Sequence, residues 1–432
     1  MTAAEGRDTA TVRPRPSLPG NNRDFRLLWS ASAVSQLGTQ VSELAIPLAA
    51  IITLHAGPAE VGTLAVLGYM PAAVFGLYAG AWADQLPRRR IMTTADIARC
   101  VVLATVPVAY LLGVLVIGQL YAVAFCVGAL SVFFDTASPA YLPSLVARGD
   151  LARANGRLQI SEQGAAVLGP GLAGWLVGLV GAPLAVTVDA ASYLASAISL
   201  GRIGHREPPR PHQADGQARI HPQIRDGIRQ VAASRQLRAI AIAAAIINLF
   251  GRMMVILVPL YLIRDARYSA VAIGLVFALG SVGFLAGAAI ADKIARRIGL
   301  GRAIVLGGTV AATALLLIAA PPVTLAGPAT AVAMFIYGTG ALVFTVSNIT
   351  LRQLVTPPDL LGRVTASMRL LSWIAQPAAG VLAAWLGTRI GLHGALWIGA
   401  FGSLTAPIPL LTGSLTRASA GQPALRDKGT DN

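Results

Sequence analysis

The chain has 432 residues, 55% hydrophobic and only 12% charged, and its mean hydropathy of +0.65 excludes an ordinary water-soluble protein of this size. A net charge of +15 raises nucleic acid as a partner, but the arginines sit in alternate loops between apolar runs rather than on one polar domain, which argues against it. Cys100 and Cys126 fall inside apolar segments and read as small buried hydrophobes, and the five histidines (His55, His205, His212, His221 and His393) show no metal-ligand spacing.

Residues 1–26 are polar and contain Pro and Arg, and the run that follows is too long for a signal-peptide core, so an uncleaved first anchor is expected. Apolar runs of about 20 residues, the length that crosses a ~30 Å hydrocarbon core, then recur along the chain. Spanning helices are expected at 27–53, 60–84, 91–117, 120–141, 158–180 and 183–203, then at 237–263, 270–294, 302–320, 326–350, 363–388 and 391–412. The expected fold class is therefore all-α, with 12 transmembrane helices in two six-helix bundles, 27–203 and 237–412. The linker 204–236 holds Pro208, Pro209 and Pro211, and then Ile224, Ile228 and Val231 interleaved with Arg225, Arg229 and Arg235, the pattern of a basic amphipathic helix on a membrane surface. Residues 413–432 form a polar tail.

Short loops rich in Arg and Lys mark the cytoplasmic side. Arg88, Arg89 and Arg90, then Arg148, Arg153 and Arg157, then Lys293, Arg296, Arg297 and Arg302 fall on the side of the linker and both termini. The opposite loops carry no Lys or Arg apart from Arg264, Arg267 and Arg389, so both termini are expected in the cytoplasm of a multi-pass protein of the cell membrane. A shift of about 210 residues lays Pro47-Leu48 on Pro259-Leu260, Gln36 on Asn248 and Gln40 on Arg252, the internal symmetry of a parallel repeat. The same shift sets Ala83-Asp84 with Arg88-Arg89 beside Ala291-Asp292 with Arg296-Arg297.

Buried polar faces locate a candidate site. At 100° per residue Ser32, Ser35, Gln36, Thr39, Gln40, Ser42 and Glu43 share one half of the first span, a face that lipid would not tolerate. Glu43 lies deep in that span, where an ionisable group is costly enough that a role facing an aqueous cavity is the expectation: proton coupling or contact with a cationic substrate, against a structural ion pair. Similar faces carry Asn155, Gln159, Glu162 and Gln163, then Asp189, Ser192, Tyr193 and Ser196, then Asn248 and Arg252, then Thr365, Arg369, Ser372 and Gln376 with Trp373 beside them. Arg252 and Arg369 read equally as salt-bridge partners of Glu43 or Glu162 or as substrate contacts, whereas Trp373 reads as packing before a stacking platform. Asp96 and Asp135 read as helix–helix partners near cytoplasmic ends, and Pro47, Pro170, Pro259 and Pro377 as kinks.

The stretch Gly80-Ala-Trp-Ala-Asp84-Gln-Leu-Pro-Arg88-Arg89-Arg90 resembles the loop 2–3 signature of the major facilitator superfamily, and Leu168-Gly169-Pro170-Gly171-Leu172-Ala173-Gly174 resembles the signature of its antiporters. Phe133-Phe134-Asp135 and Leu142-Pro143-Ser144-Leu145-Val146 are similar to the branch holding macrolide and siderophore exporters. Gln85, Pro87 and Ala173 depart from those patterns. The resemblance implies the superfamily fold, a monomer, and gating by Gly80, Asp84, Arg88 and Arg89 with Asp292, Arg296 and Arg297 on the cytoplasmic side. On an extended helix end Asp84 and Arg88 would share a face for an ion pair, while the plain reading of Arg89 and Arg90 is positive-inside anchoring.

No Gly-x-x-x-x-Gly-Lys-Ser/Thr stretch cradles ATP phosphates, so no cofactor is expected and the drive would be a proton gradient. With the resemblance, this predicts proton-coupled export of amphipathic small molecules such as drugs, macrolides or siderophores by alternating access. An importer or facilitator of a small metabolite would use the same fold, whereas an enzyme lacks any Cys/His dyad, metal cluster or Ser/His/Asp set in the membrane, and a sensor is expected to carry an added soluble domain.

Overall fold

The computed structural model of the chain describes residues 22–205, 220–357 and 360–411, with side chains throughout except at 77–85, 220–224 and 226. Among the described residues all regular structure is helical. The first half comprises α1 (Arg23–Leu48), α2 (Pro58–Gln85), α3 (Arg88–Leu111), α4 (Ile117–Leu145), α5 (Leu151–Val180) and α6 (Ala182–Gly201). Helix α7 (Ile220–Ala233) follows. The second half comprises α8 (Arg235–Arg264), α9 (Ala270–Ile298), α10 (Leu300–Ala314) with the short α11 (Leu316–Ala319), α12 (Ala326–Val355), α13 (Leu361–Arg389), and α14 (Gly391–Ser403) with the short α15 (Pro407–Leu410).

Starts and stops follow local chemistry. The Asn22 side chain accepts from the amides of Asp24 and Phe25 at 3.0 and 3.2 Å, capping α1, and Ser269 caps α9 in the same way. Gly181 and Gly299 each form the whole connection between consecutive helices at φ of 86° and 87°, a conformation open to glycine at no steric cost. After Pro47 the winding of α1 widens into a π turn, Ala49–Thr53.

The sequence reading needs refinement at two spans. The expected helices 302–320 and 391–412 are each broken, at Leu315 and at Leu404–Ala406 respectively. Pro407 and Pro409 lack the amide hydrogens that would carry α14 onward. Among the described residues ten helical stretches are long and apolar enough to cross a membrane; α1 and α14 fall outside this set, α1 because it carries the polar face and α14 because it is short.

The two halves pair their helices alike. Helix α2 packs on α4 as α9 does on α12; α1 packs on α5 as α8 does on α13; α3 packs on α4 as α10 does on α12. Between the halves, α2 packs on α13 and α5 on α9, so the second helix of each half meets the fifth of the other. At the end bearing the arginine-poor loops one apolar cluster unites both halves, through residues such as Val41, Leu48, Tyr193, Leu257, Tyr261 and Leu396. At the arginine-rich end the clusters separate: Phe25, Leu28, Met92 and Leu142 belong to the first half, and Ile240, Ile304, Phe344 and Leu410 to the second. Large apolar side chains remain uncovered on the perimeter, with Ile160 at 74%, Leu111 at 72% and Leu168 at 67% exposed, and lipid is the solvent that suits them.

Helix α7 is amphipathic. Val231 is buried in a cluster with Leu237, Val364 and Met368, while Arg225 and Arg229 are exposed. A Cβ at Gly227 would lie 2.8 Å from the carbonyl carbon of Arg363, so glycine permits the close approach of α7 to α13.

Candidate functional site

A cavity of about 1310 Å³ lies between the halves. It is closed at the arginine-poor end, where small residues let backbones touch. A Cβ on Gly174 would stand 2.7 Å from the Ala270 carbonyl oxygen and 2.8 Å from the Gly274 Cα; one on Gly62 would stand 2.6 Å from the Gly380 oxygen and the Ala384 Cβ. Gly62 and Gly274 are related by the same ~210-residue repeat shift. Arg264 completes the seam: its guanidinium donates to the carbonyls of His55 and Ala56 across the halves at 2.5 and 2.8 Å, and His55 turns the chain there at φ 54°. An arginine that broke the loop-charge rule thus bridges the two halves.

The lining combines apolar and polar groups. Gln36, Gln40, Glu43, Glu162, Asp189, Asn248, Arg252 and Arg369 all line the cavity, as their helical faces predict. Glu43, Glu162 and Arg369 are exposed to it, whereas Asp189 is buried, one oxygen accepting from Ser192 Oγ at 3.2 Å and the other without a hydrogen-bond partner. Among the described residues neither Arg252 nor Arg369 has a carboxylate within 4.0 Å. Instead the Arg252 guanidinium sits 5.2 Å from the centre of the Tyr69 ring on the opposite half, and Arg369 sits 5.1 Å from the Trp373 ring on its own helix. The direct salt bridges that sequence left open are therefore not formed; the charges face one another across the cavity.

Trp373 and Gln376 are not lining residues. The cause is the course of α13, whose polar face passes from cavity to seam: Trp373 fills the space beside Gly76 of α2, so its role is packing. Asp135 is corrected in the other direction. Expected to be tied up between helices, it is exposed to the cavity, within electrostatic reach of Glu162 and Arg369. Tyr69 and Tyr337 also line the cavity and carried no sequence signal beyond being polar aromatics in apolar spans.

Sequence reading missed Arg99. It forms an ion pair with the fully buried Asp96 one helical turn earlier and lies between the rings of Phe134 and Tyr193, 4.5 and 4.2 Å from their centres. Asp96 also accepts from Ser196 Oγ at 2.5 Å, and Tyr193 shares a 2.8 Å hydrogen bond with Thr39. The network fastens α1, α3, α4 and α6 to one another, and Arg99, Phe134 and Tyr193 bring it to the cavity wall. The i, i+3 spacing of Asp96 and Arg99 inside an apolar run was the signal that could have found it.

The two loop motifs differ. The packing of Gly80 and the side chain of Asp84 lie outside what the structure describes, but the helix does not run unbroken from Asp84 to Arg88: α2 stops at Gln85, and Leu86, held extended before Pro87, breaks the register. Arg88 donates to the Ala140 carbonyl, and Arg89 donates to the carbonyls of Leu200, at 2.9 Å, and Gly201, capping the end of α6. In the second half α9 continues to Ile298, and Asp292 pairs with Arg296 at 2.6 Å on the helix surface, with Arg297 exposed beside it. In the fifth-helix motif Gly169 packs against the Gln40 side chain, while the backbones of Pro170 and Gly174 meet Gly274, so this motif builds the α5–α9 seam. No group of three or more His, Cys, Asp or Glu side chains suited to a metal occurs among the described residues.

The architecture and the chain have relatives. The family model described as Major Facilitator Superfamily matches residues 28–380. The multidrug efflux pump Tap of Mycolicibacterium fortuitum is 27% identical over 398 residues, covering 89% of this chain and 93% of that protein. The pump of the same name from Mycobacterium tuberculosis is 26% identical over 378 residues, covering 85% and 88%. Among solved structures, the nucleoside transporter NupG shares the fold with a TM-score of 0.72 at 12% identity, covering 93% of this chain and 100% of that one. A bacterial homologue of the iron transporter ferroportin in its inward-facing state does so with 0.71 at 18% identity, covering 90% and 98%. The chain belongs to the Major Facilitator Superfamily and is a multi-pass membrane transporter, not an enzyme.

Proposed function

We propose that this transporter exports amphipathic small molecules across the cell membrane in exchange for protons, as a monomer whose two halves, 27–203 and 237–412, rock about the central cavity. The observation that carries the reading is the cavity itself: within the spanning helices it is lined by Glu43 and Arg252 from opposite halves, with apolar and aromatic walls on either side. A carboxylate in that position is costly unless it serves transport. The relatives named as multidrug efflux pumps support export of drug-like substrates. The arginine-rich end, with the linker and both termini, is read as cytoplasmic, so this conformation faces inward and the seam of Gly62, Gly174, Gly274 and Arg264 is the closed outer gate.

Everted membrane vesicles test this. Tetramethylrhodamine or ethidium should accumulate when the vesicle interior is acidified, and Glu43→Gln should abolish that accumulation while the protein still folds. Accumulation indifferent to the gradient, or unchanged in the variant, removes proton coupling through Glu43.

A further inference from the structure

The charges that line the cavity are sorted by half. The first half contributes Glu43, Asp135, Glu162 and Asp189, and its one lining arginine, Arg99, is held by Asp96. The second half contributes Arg252 and Arg369 and, among the described lining residues, no carboxylate. The cavity therefore has one acidic and one basic wall. At about 1310 Å³ it is wide enough that no carboxylate–arginine contact within 4.0 Å spans the two walls.

We infer that the cavity selects dipolar substrates: molecules carrying a cationic and an anionic group on one apolar frame, the cation set against Glu43, Asp135 and Glu162 and the anion against Arg252 and Arg369. This rests on the export reading above. The physical reason lies in closure. When the inner end shuts and water leaves, each wall loses its solvation, and a buried charge without a counter-charge is unfavourable. A plain lipophilic cation satisfies the acidic wall and leaves the two arginines uncompensated. A dipolar molecule satisfies both, and the aromatic surfaces of Tyr69 and Tyr337 cover its frame.

Tetramethylrhodamine and its methyl ester provide a matched pair: the free acid is dipolar, whereas the ester keeps only the cation. Fluorescence polarisation on the purified full chain should show the free acid binding about tenfold tighter than the ester, the scale of one well-placed charge contact. The double variant Arg252→Gln/Arg369→Gln should erase that ratio by weakening the free acid alone. Should the double variant fail to run as a single species on gel filtration, Arg369→Gln alone, at the more exposed position, should narrow the ratio. Equal or tighter binding of the ester, a ratio unchanged in the arginine variants, or no saturable binding of either dye overturns the inference. Vesicle uptake separates the two readings: gradient-driven uptake of both dyes alike leaves export standing and removes the selectivity, whereas selective binding without gradient-driven uptake removes export and leaves the selectivity.

Discussion

The two halves of the molecule share helix order and pairing yet differ in what they do with charge. In the first half an arginine is buried, stacked between two rings and paired with Asp96, and two more are tied to helix-end carbonyls. In the second half Arg252 and Arg369 stand free of carboxylates in the cavity, Arg264 reaches across the seam, and Arg296 pairs with Asp292 on the surface. Duplication preserved the backbone frame, while the polar groups diverged into a rigid acidic wall and a basic one. A shared fold therefore does not give the two halves equal sensitivity to mutation.

Four substitutions sharpen this contrast, in falling order of effect. Arg99→Met leaves the Asp96 carboxylate buried without its partner and should destabilise the protein by about 3–5 kcal/mol, read as a large fall in the thermal midpoint in detergent. An unchanged midpoint would mean that the network is not what holds the first half together. Gly274→Val forces a side chain against Pro170 and Gly174. It should disfavour the closed seam by about 1–3 kcal/mol, so that a cysteine at Glu43 becomes reactive to an impermeant maleimide from outside. Arg264→Gln removes two cross-half hydrogen bonds and should loosen the same seam by about 1–3 kcal/mol, increasing labelling at the same position to a smaller degree. Last, Asp292→Asn breaks an ion pair whose side chains, Arg296 and Asp292, are 73% and 68% exposed, so it should change stability by no more than about 1 kcal/mol, read as a small shift of the thermal midpoint. A large loss of transport with normal stability in that variant would instead reveal a gating contact made in another conformation.

Much of this was legible in the sequence because lipid imposes a strict code. Apolar length placed the spans, the repeat shift matched the halves, and the one-sided polar faces of α1, α5, α6 and α8 pointed into the cavity. What escaped were features set by partners distant in the chain. Arg99 makes sense only once Phe134, Tyr193 and Ser196 are brought beside it. Trp373 and Gln376 satisfy the helical-face rule, but α13 carries them away from the cavity, and no periodicity encodes that crossing. The continuous helix expected through Asp84 and Arg88 is broken for a local reason in plain view: Pro87 separates the end of α2 from the start of α3. The motif at Gly169–Gly174 was recognised as a signature, and the structure gives it a physical task as half of a glycine-lined seam.

The most direct test of alternating access about this cavity is a pair of spin-label distances in a chain whose Cys100 and Cys126 are replaced by alanine. Labels at Leu179 and Leu275, both 62% exposed, report the α5–α9 seam, and labels at the exposed Ala152 and Arg297 report the opposite end of the same two helices. On adding a transported dye at acidic pH, the seam distance should lengthen as the other shortens. Two distances that stay fixed, or that move in the same direction, would contradict a rocking exchange between the two ends.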